Sequence, residues 1–349
     1  MIIIKYKMDQ LTKKINSDYG IIITQNNSII YEKYVGNNKD TKFRIFSCSK
    51  PITAMAIFIL LQENKLNLTD TIDKFNINIP YSNEITINHL LNHTSSIYDF
   101  SSELYFNLKP KKLFNKISKN ILETNETELI NFETMINIIN KNKEPYFKPH
   151  SDPFNLKFKK YNNTGYDILG YIVYVVSGQK TDQFIQQNIF NKLKMNNSSF
   201  QHNKDPLESI PYESYDKIKI NCIKEQQNWF CGNANIVCTL RDYNIFLSNY
   251  NKLLNNKHIE LYHKLYYFEK TTKNNTKYNY FWHKGSGDFS HNHSNNKKYI
   301  PLSRTIMMRF FNKDNIINII VSENYQNTNG FFSNNCKNLN FIINHIIEY

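Results

Sequence analysis

Ser47-Cys48-Ser49-Lys50 runs directly into Pro51-Ile52-Thr53-Ala54-Met55-Ala56-Ile57-Phe58-Ile59-Leu60-Leu61. A serine and a lysine three residues apart share one face of a helix, about one turn apart. The residues that follow are apolar nearly all round, which predicts a buried helix. If Ser47 opens that helix, its hydroxyl and the Lys50 amine meet at the helix N-terminus. Burial there strips a lysine of water and favours the uncharged amine, the form that acts as a base. A serine beside a base is the smallest arrangement that yields an activated nucleophile. The competing reading makes Ser47 a helix N-cap and Lys50 a snorkelling surface side chain. Spacing alone does not choose between them, because S-x-x-K recurs at Ser177, Ser214 and Ser294.

The chain around this stretch has 349 residues, 40% of them hydrophobic and 14% aromatic. That is enough for one large domain, or for a core domain with a sizeable insertion. Asn, Lys, Ile and Tyr are abundant and only nine glycines occur, a bias expected of a genome rich in A and T. The net charge of +13 follows from the same bias, because the lysines are scattered. Short clusters such as Lys109, Lys111 and Lys112, or the stretch from Lys157 to Lys160, come with no zinc spacing, RNP-like motif or basic helix. A nucleic-acid partner is therefore not expected. Cys48, Cys222, Cys231, Cys238 and Cys336 are odd in number and include no C-x-x-C pair, so free thiols and no metal are expected. Met1-Ile2-Ile3-Ile4-Lys5 is too short an apolar run for a secretory leader, and no run reaches membrane-spanning length. The expectation is a soluble, intracellular protein without cofactor.

Gly20-Ile21-Ile22-Ile23-Thr24 and Ser28-Ile29-Ile30-Tyr31-Glu32 read as strands of a hairpin turning at Gln25-Asn26-Asn27, after a polar N-terminal segment. The buried helix should end near Asn64-Lys65, and Asn67-Leu68-Thr69-Asp70 carries cap residues for a short segment. From about 70 to 230 the pattern is mostly helical and loop-rich. It includes amphipathic Ile85 to Leu91, a helix-compatible stretch from Lys111 to Glu144, and helices at Thr164 to Val176 and Thr181 to Leu193. A helix from Asp242 to Leu254 precedes strands at Tyr278 to Trp282, Thr305 to Phe310 and Ile316 to Val321, with a last helix at Leu339 to Ile347. Strands at both ends with helices between predict an α+β fold: one antiparallel sheet built from the chain termini, flanked by helices, with a helical insertion.

Two further stretches carry chemistry. In Tyr161-Asn162-Asn163-Thr164-Gly165-Tyr166-Asp167, a Tyr and an Asn two residues apart precede a glycine-punctuated helix and can aim at one point. Y-x-N also occurs at Tyr81, Tyr105 and Tyr325, without that helix. Phe281-Trp282-His283-Lys284-Gly285-Ser286-Gly287 holds the single H-x-G, where glycine lets a substrate approach the backbone. Taken alone, His283 reads equally as a packed strand histidine.

In chain order these stretches resemble the serine β-lactamase-like and penicillin-binding family, in its class C β-lactamase, DD-peptidase and esterase branch. Phe43 to Ala54 resembles the nucleophile segment of that family, and Ile85 to Ile97 its L-L-x-H-T-S-G stretch. Asn163 to Gly178 resembles the helix after the tyrosine motif, and Ile189 to Met195 the F-x-P-L-G-M element with lysine for both Pro and Gly. Ile319 to Asn324 resembles the strand that closes the sheet. The resemblance covers about residues 18 to 349. It implies a single β-lactamase-like domain over 1–349, with an α/β part at about 18–68 and 235–349 and a mostly helical part at about 69–234.

The resemblance also implies an acyl-enzyme mechanism on an ester or amide. Ser47 would be the nucleophile, Lys50 and Tyr161 would share the proton work, and Asn163 would hydrogen-bond Lys50 and the substrate. His283 and Gly285 would orient the substrate, and the backbone N–H groups of Ser47 and Ser286 would form the oxyanion hole, with no metal required. Departures from the family pattern fall in cleft loops: Ser96 stands for a glycine, Pro149-His150 for a Pro-Gly pair, and Ser286-Gly287-Asp288-Phe289 for a glycine-rich turn. They bear on substrate class. The rival readings are a catalytically silent scaffold or binding protein, against which the intact Ser47, Lys50 and Tyr161 argue, and a nucleic-acid-binding protein.

Overall fold

Ile21-Ile22-Ile23 shows no alternation of polar and apolar residues, and a strand of that composition needs cover on both faces. The computed structural model describes residues 2–13, 18–99, 132–142, 145, 147–200, 232–271, 277–288 and 302–325. In it the run forms β1 (Asp18–Gln25), inside an antiparallel sheet. Across that sheet the order is β2 (Ser28–Val35), β1, β9 (Ile316–Tyr325), β8 (Leu302–Phe311), β7 (Lys277–Asp288) and β6 (Tyr267–Thr271). Ile22 lies opposite Ile320 where the two ends of the chain pair. Asn26 and Asn27, both with positive φ, make the hairpin turn between β1 and β2. A small second sheet joins β3 (Phe43–Arg44), β5 (Ile236–Cys238) and β4 (Ser198–Phe200), in that order.

Strand periodicity divides the core in two. Ile22, Met307 and Ile320 point into the main helical core, while Ile21, Ile23, Ile306, Met308, Ile319 and Val321 point to the other face. The N-terminal segment, read from sequence only as polar, forms α1 (Ile2–Thr12), which buries Met8 on that outer face. The Tyr31 hydroxyl donates to Asp9 at 2.9 Å and ties α1 to β2.

The apolar run after Ser47 forms α2 (Lys50–Gln62), buried from Lys50 to Leu60 at the centre of the main core. Ser47 does not open this helix. Phe46–Ser49 is a 3₁₀ turn, and α-helical hydrogen bonding starts at Lys50. In a 3₁₀ turn side chains three apart eclipse, which draws Ser47 and Lys50 together. Around α2 lie α3 (Ile87–Asn92), α4 (Phe132–Asn142), α5 (Asn163–Ser177), α6 (Thr181–Ile185), α7 (Asn191–Leu193), α8 (Leu240–Asn249) and α9 (Asn256–Tyr266). A π turn at Gln186–Phe190 joins α6 to α7, so the helix expected from Thr181 to Leu193 is continuous but not α-helical throughout. Neither α9 nor β6 was expected from the sequence. The expected C-terminal helix and the first part of the 111–144 stretch lie outside the described residues. No helix among the described residues is long and apolar enough to cross a membrane.

Candidate active site

The turn that carries Ser47 is fixed from several sides. The Ile45 N–H donates to the Ile236 carbonyl at 3.1 Å, and the Ile236 N–H donates to the Ser49 hydroxyl at 3.3 Å. The Tyr243 hydroxyl donates to the Cys48 carbonyl at 2.7 Å. Between these anchors Phe46 sits at φ +45°, a left-handed conformation that costs a non-glycine residue about 1–3 kcal/mol. Its buried ring and the anchored neighbours hold it there.

Behind the turn, Lys50 is wholly buried, 0% exposed, and its Nζ has three acceptors: Ser47 Oγ at 2.9 Å, Asn163 Oδ1 at 2.7 Å and the Asn233 carbonyl at 3.2 Å. None of these three partners is a charged group. The same Nζ lies 5.0 Å from the centre of the Tyr161 ring and 5.6 Å from that of Tyr166.

Asn162 caps α5, its Oδ1 accepting from the Gly165 N–H at 2.7 Å and its Nδ2 donating to the Ile97 carbonyl at 2.5 Å. That cap places Asn163 at the first helical position and leaves Tyr161, just before the cap, 46% exposed. His93 holds the segment: its carbonyl accepts from the Lys160 N–H at 2.8 Å and its Nδ1 from the Asn162 N–H at 3.2 Å. Its ring centre is 4.5 Å from that of Tyr161 and 5.1 Å from that of Tyr166. Burial first, and then the Lys50 charge, push His93 well below the ordinary histidine range, so the imidazole is neutral and accepts at Nδ1.

The opposite wall is β7. His283 and Gly285, two apart, share its cleft-facing side. A Cβ on Gly285 would lie 2.1 Å from the Ile45 carbonyl oxygen, so glycine lets β7 approach the 3₁₀ turn of Ser47. The His283 ring centre is 6.5 Å from that of Tyr161, and its Nε2 is buried with no hydrogen-bond partner among the described residues. Burial, with Lys50 and Lys159 adding to it, pushes His283 down to about 3. Ser286 follows Gly285 in β7, opposite Arg304 of β8. Hydrogen bonds thus join Ser47, Lys50 and Asn163 directly, while ring and backbone contacts bring Tyr161, His283 and Gly285 to the same cleft. No group of three or more His, Cys, Asp or Glu side chains able to hold a metal occurs among the described residues.

The family model described as Beta-lactamase matches residues 18–314, which contain every one of these residues. The chain belongs to the beta-lactamase family. Among its relatives, Penicillin-binding protein 4* of Bacillus subtilis is 28% identical over 173 residues, covering 50% of this chain and 34% of the relative. Protein flp of Staphylococcus aureus is 29% identical over 219 residues, covering 60% of this chain and 39% of that protein. The chain thus spans well under half the length of these curated relatives. The octameric penicillin-binding protein homologue from Pyrococcus abyssi superposes with a TM-score of 0.65 at 20% identity, over 92% of this chain and 73% of that one. For the D-amino acid amidase from Ochrobactrum anthropi SV3 the TM-score is 0.62 at 16% identity, over 97% of each chain.

Two departures from the beta-lactamase pattern acquire a physical account. Ser96 and Lys194, where the family pattern has glycine, both lie at positive φ, +62° and +63°. The Ser96 hydroxyl donates to the Phe147 carbonyl and accepts from the Phe147 N–H at 2.7 Å, which ties down the loop ahead of Tyr161.

Sequence reasoning missed Gly232, Asn233 and Asp167. A Cβ on Gly232 would lie 1.8 Å from the Tyr166 carbonyl oxygen, and its own carbonyl accepts from the Thr53 hydroxyl at 2.7 Å. Asn233 touches Lys50 through a carbonyl, which every residue type carries, so no sequence signal marks it. Asp167 had a readable signal: it follows Asn163 by four residues, and so lies on the helix face that meets Lys50.

Proposed function

We propose that this protein is a serine acyl hydrolase that cleaves a peptide-like or small-molecule ester or amide through an acyl-enzyme. The observation that carries the proposal is the wholly buried Lys50 with its Nζ 2.9 Å from Ser47 Oγ. Ser47 Oγ attacks the substrate carbonyl carbon, and its proton passes to the Lys50 and Tyr161 pair. The same pair returns a proton to the leaving alcohol or amine as the carbonyl–heteroatom bond breaks. Water then attacks the Ser47 ester, releases the acid and restores the hydroxyl. Asn163 orients Lys50 and the substrate amide, while neutral His283 and the open backbone at Gly285 seat the substrate along β7. The N–H groups of Ser47 and Ser286 are assigned to the carbonyl oxygen as negative charge develops there, each donor contributing about 3–4 kcal/mol in comparable sites.

The names of the relatives support an amide or peptide-like acyl group. The test compares labelling by a fluorescent penicillin and by a fluorophosphonate in wild type and in Ser47→Ala, Lys50→Met and Tyr161→Phe. Labelling by either probe that vanishes in Ser47→Ala and falls at least about 100-fold in the other two is expected. Equal labelling of wild type and Ser47→Ala, or none in either, removes Ser47 as nucleophile.

A further inference from the structure

Lys50 stands on three hydrogen bonds, and only two of the acceptors belong to elements that fix them. Ser47 is in the 3₁₀ turn and Asn163 in α5, but Asn233 is in a segment, 232–235, that is neither helix nor strand. The Asn233 side chain meets a buried carboxylate: its Nδ2 donates to Asp167 Oδ1 at 2.7 Å and Oδ2 at 2.8 Å. Asp167 is 0% exposed and lies one turn beyond Asn163 in α5. One helix therefore governs two of the three acceptors, Asn163 directly and the Asn233 carbonyl through Asp167. We propose that Asp167 and Asn233 form a positioning pair for Lys50, holding the Asn233 carbonyl where the Lys50 Nζ stays aimed at Ser47. The proposal rests on Ser47 being the nucleophile and Lys50 its proton partner.

Neither residue touches a substrate in this scheme, so the signature lies in turnover per folded molecule. Asn233→Ala frees the carbonyl segment and is expected to lower the Ser47 acylation rate about 10- to 100-fold, with KM for a small ester within about 2-fold of wild type. Asp167→Asn keeps one neutral acceptor. Because charge-assisted hydrogen bonds are roughly twice as strong as neutral ones, it is expected to lose about half as much on a logarithmic scale. The exchange Asp167→Asn with Asn233→Asp restores the bond with donor and acceptor reversed and should recover most of the rate. A merely structural pair would lower Tm while leaving the rate per folded molecule unchanged, and that result overturns the proposal.

Labelling the lysine side chains with ¹⁵N gives a readout independent of turnover. The Lys50 Nζ resonance should shift in Asn233→Ala and in Asp167→Asn, and an unchanged resonance in both overturns the proposal as well. Should wild type fail to label at Ser47, the functional reading falls by itself, and the resonance still decides whether the pair positions Lys50.

Discussion

Gly285→Ala adds one methyl group where β7 lies against the 3₁₀ turn of Ser47. The new Cβ would meet the Ile45 carbonyl oxygen at 2.1 Å and the Phe46 Cβ at 2.9 Å. Ordinary van der Waals contact begins at 3.4 Å, so β7 and the turn must part by about 1.3 Å at this point. Neither side yields easily. Ile45 is held by Ile236, and β7 is hydrogen-bonded along β8, with Gly285 opposite Thr305. Overpacking of this kind destabilises by about 1–3 kcal/mol. The larger effect is on chemistry: a misplacement of about 1 Å costs about 100-fold in rate. The Ser47–Lys50 hydrogen bond spans only three residues and survives, while Gly285, Ser286 and His283 of β7 move away from Ser47; in the proposed mechanism this separates the nucleophile from its oxyanion donors. The assay is the rate of Ser47 phosphonylation by a fluorophosphonate, in which Oγ bonds to phosphorus as fluoride leaves, with Tm measured alongside. Gly165→Ala serves as the control, since a Cβ there meets nothing nearer than 3.6 Å. A Gly285→Ala variant that reacts with the probe within about 3-fold of wild type would refute the claim that the approach of β7 sets the geometry around Ser47.

Two further outcomes follow from the same structure. His283 and His93 are both depressed in the folded state, so the native form binds fewer protons than the unfolded chain. The stability they contribute is complete above the unfolded value of 6.5 and is lost as pH falls toward the folded value of about 3 for His283. At pH 5 the His283 share of that loss is about 2 kcal/mol, and thermal melts at pH 7.5 and 5.0 should show a smaller drop in His283→Asn than in wild type; equal drops would contradict the assignment. At Ser96, with φ +62°, Ser96→Ala loses both bonds to Phe147 while keeping the strained backbone, and should lower stability by about 1–2 kcal/mol. Ser96→Gly loses the same bonds but relieves about 1 kcal/mol of left-handed strain, so its Tm should exceed that of the alanine variant, and equal melting points would count against a role for backbone strain.

How much of this was legible depended on which part of a residue does the work. β1 and β9 announced themselves through the β-branched runs Ile21-Ile22-Ile23 and Ile319-Ile320-Val321, and β8 through the apolar run Ile306-Met307-Met308, because strands covered on both faces bury successive residues. β6 was silent: it is an edge strand whose Phe268 is exposed and whose place is fixed only by pairing with β7. The apolar face of α9 is carried largely by tyrosines such as Tyr262 and Tyr266, whose hydroxyls mask the period. The structure brings Ser47, Lys50, Tyr161 and Asn163 together, and their neighbourhood was legible because their side-chain types and their order along the chain are distinctive. The Asn233 carbonyl and the φ of Phe46 were not, because backbone atoms and dihedral angles leave no letter in the sequence.

The glycines separate two kinds of constraint that sequence patterns merge. In a chain with only nine of them, positive-φ positions among the described residues are held by Gly36 and Gly178 but also by Asn26, Asn27, Phe46, Asn64, Asn76, Tyr81, His93, Ser96 and Lys194. Each such substitution costs about 1–2 kcal/mol, which a large core absorbs, and Asn pays less than other residues. A steric demand for glycine has no such remedy. At Gly232 and Gly285 the added carbon would lie 1.8 Å and 2.1 Å from backbone carbonyl oxygens, and no rotamer relieves a clash with a backbone atom. Gly232 precedes Asn233, whose carbonyl accepts from Lys50, and Gly285 lies against Ile45 and Phe46 beside Ser47. Loss of glycine from the H-T-S-G and F-x-P-L-G-M elements therefore marks conformational positions that other residues can fill. Glycine at 232 and 285, by contrast, stands where backbone packs directly against backbone, next to Tyr166 and Ile45.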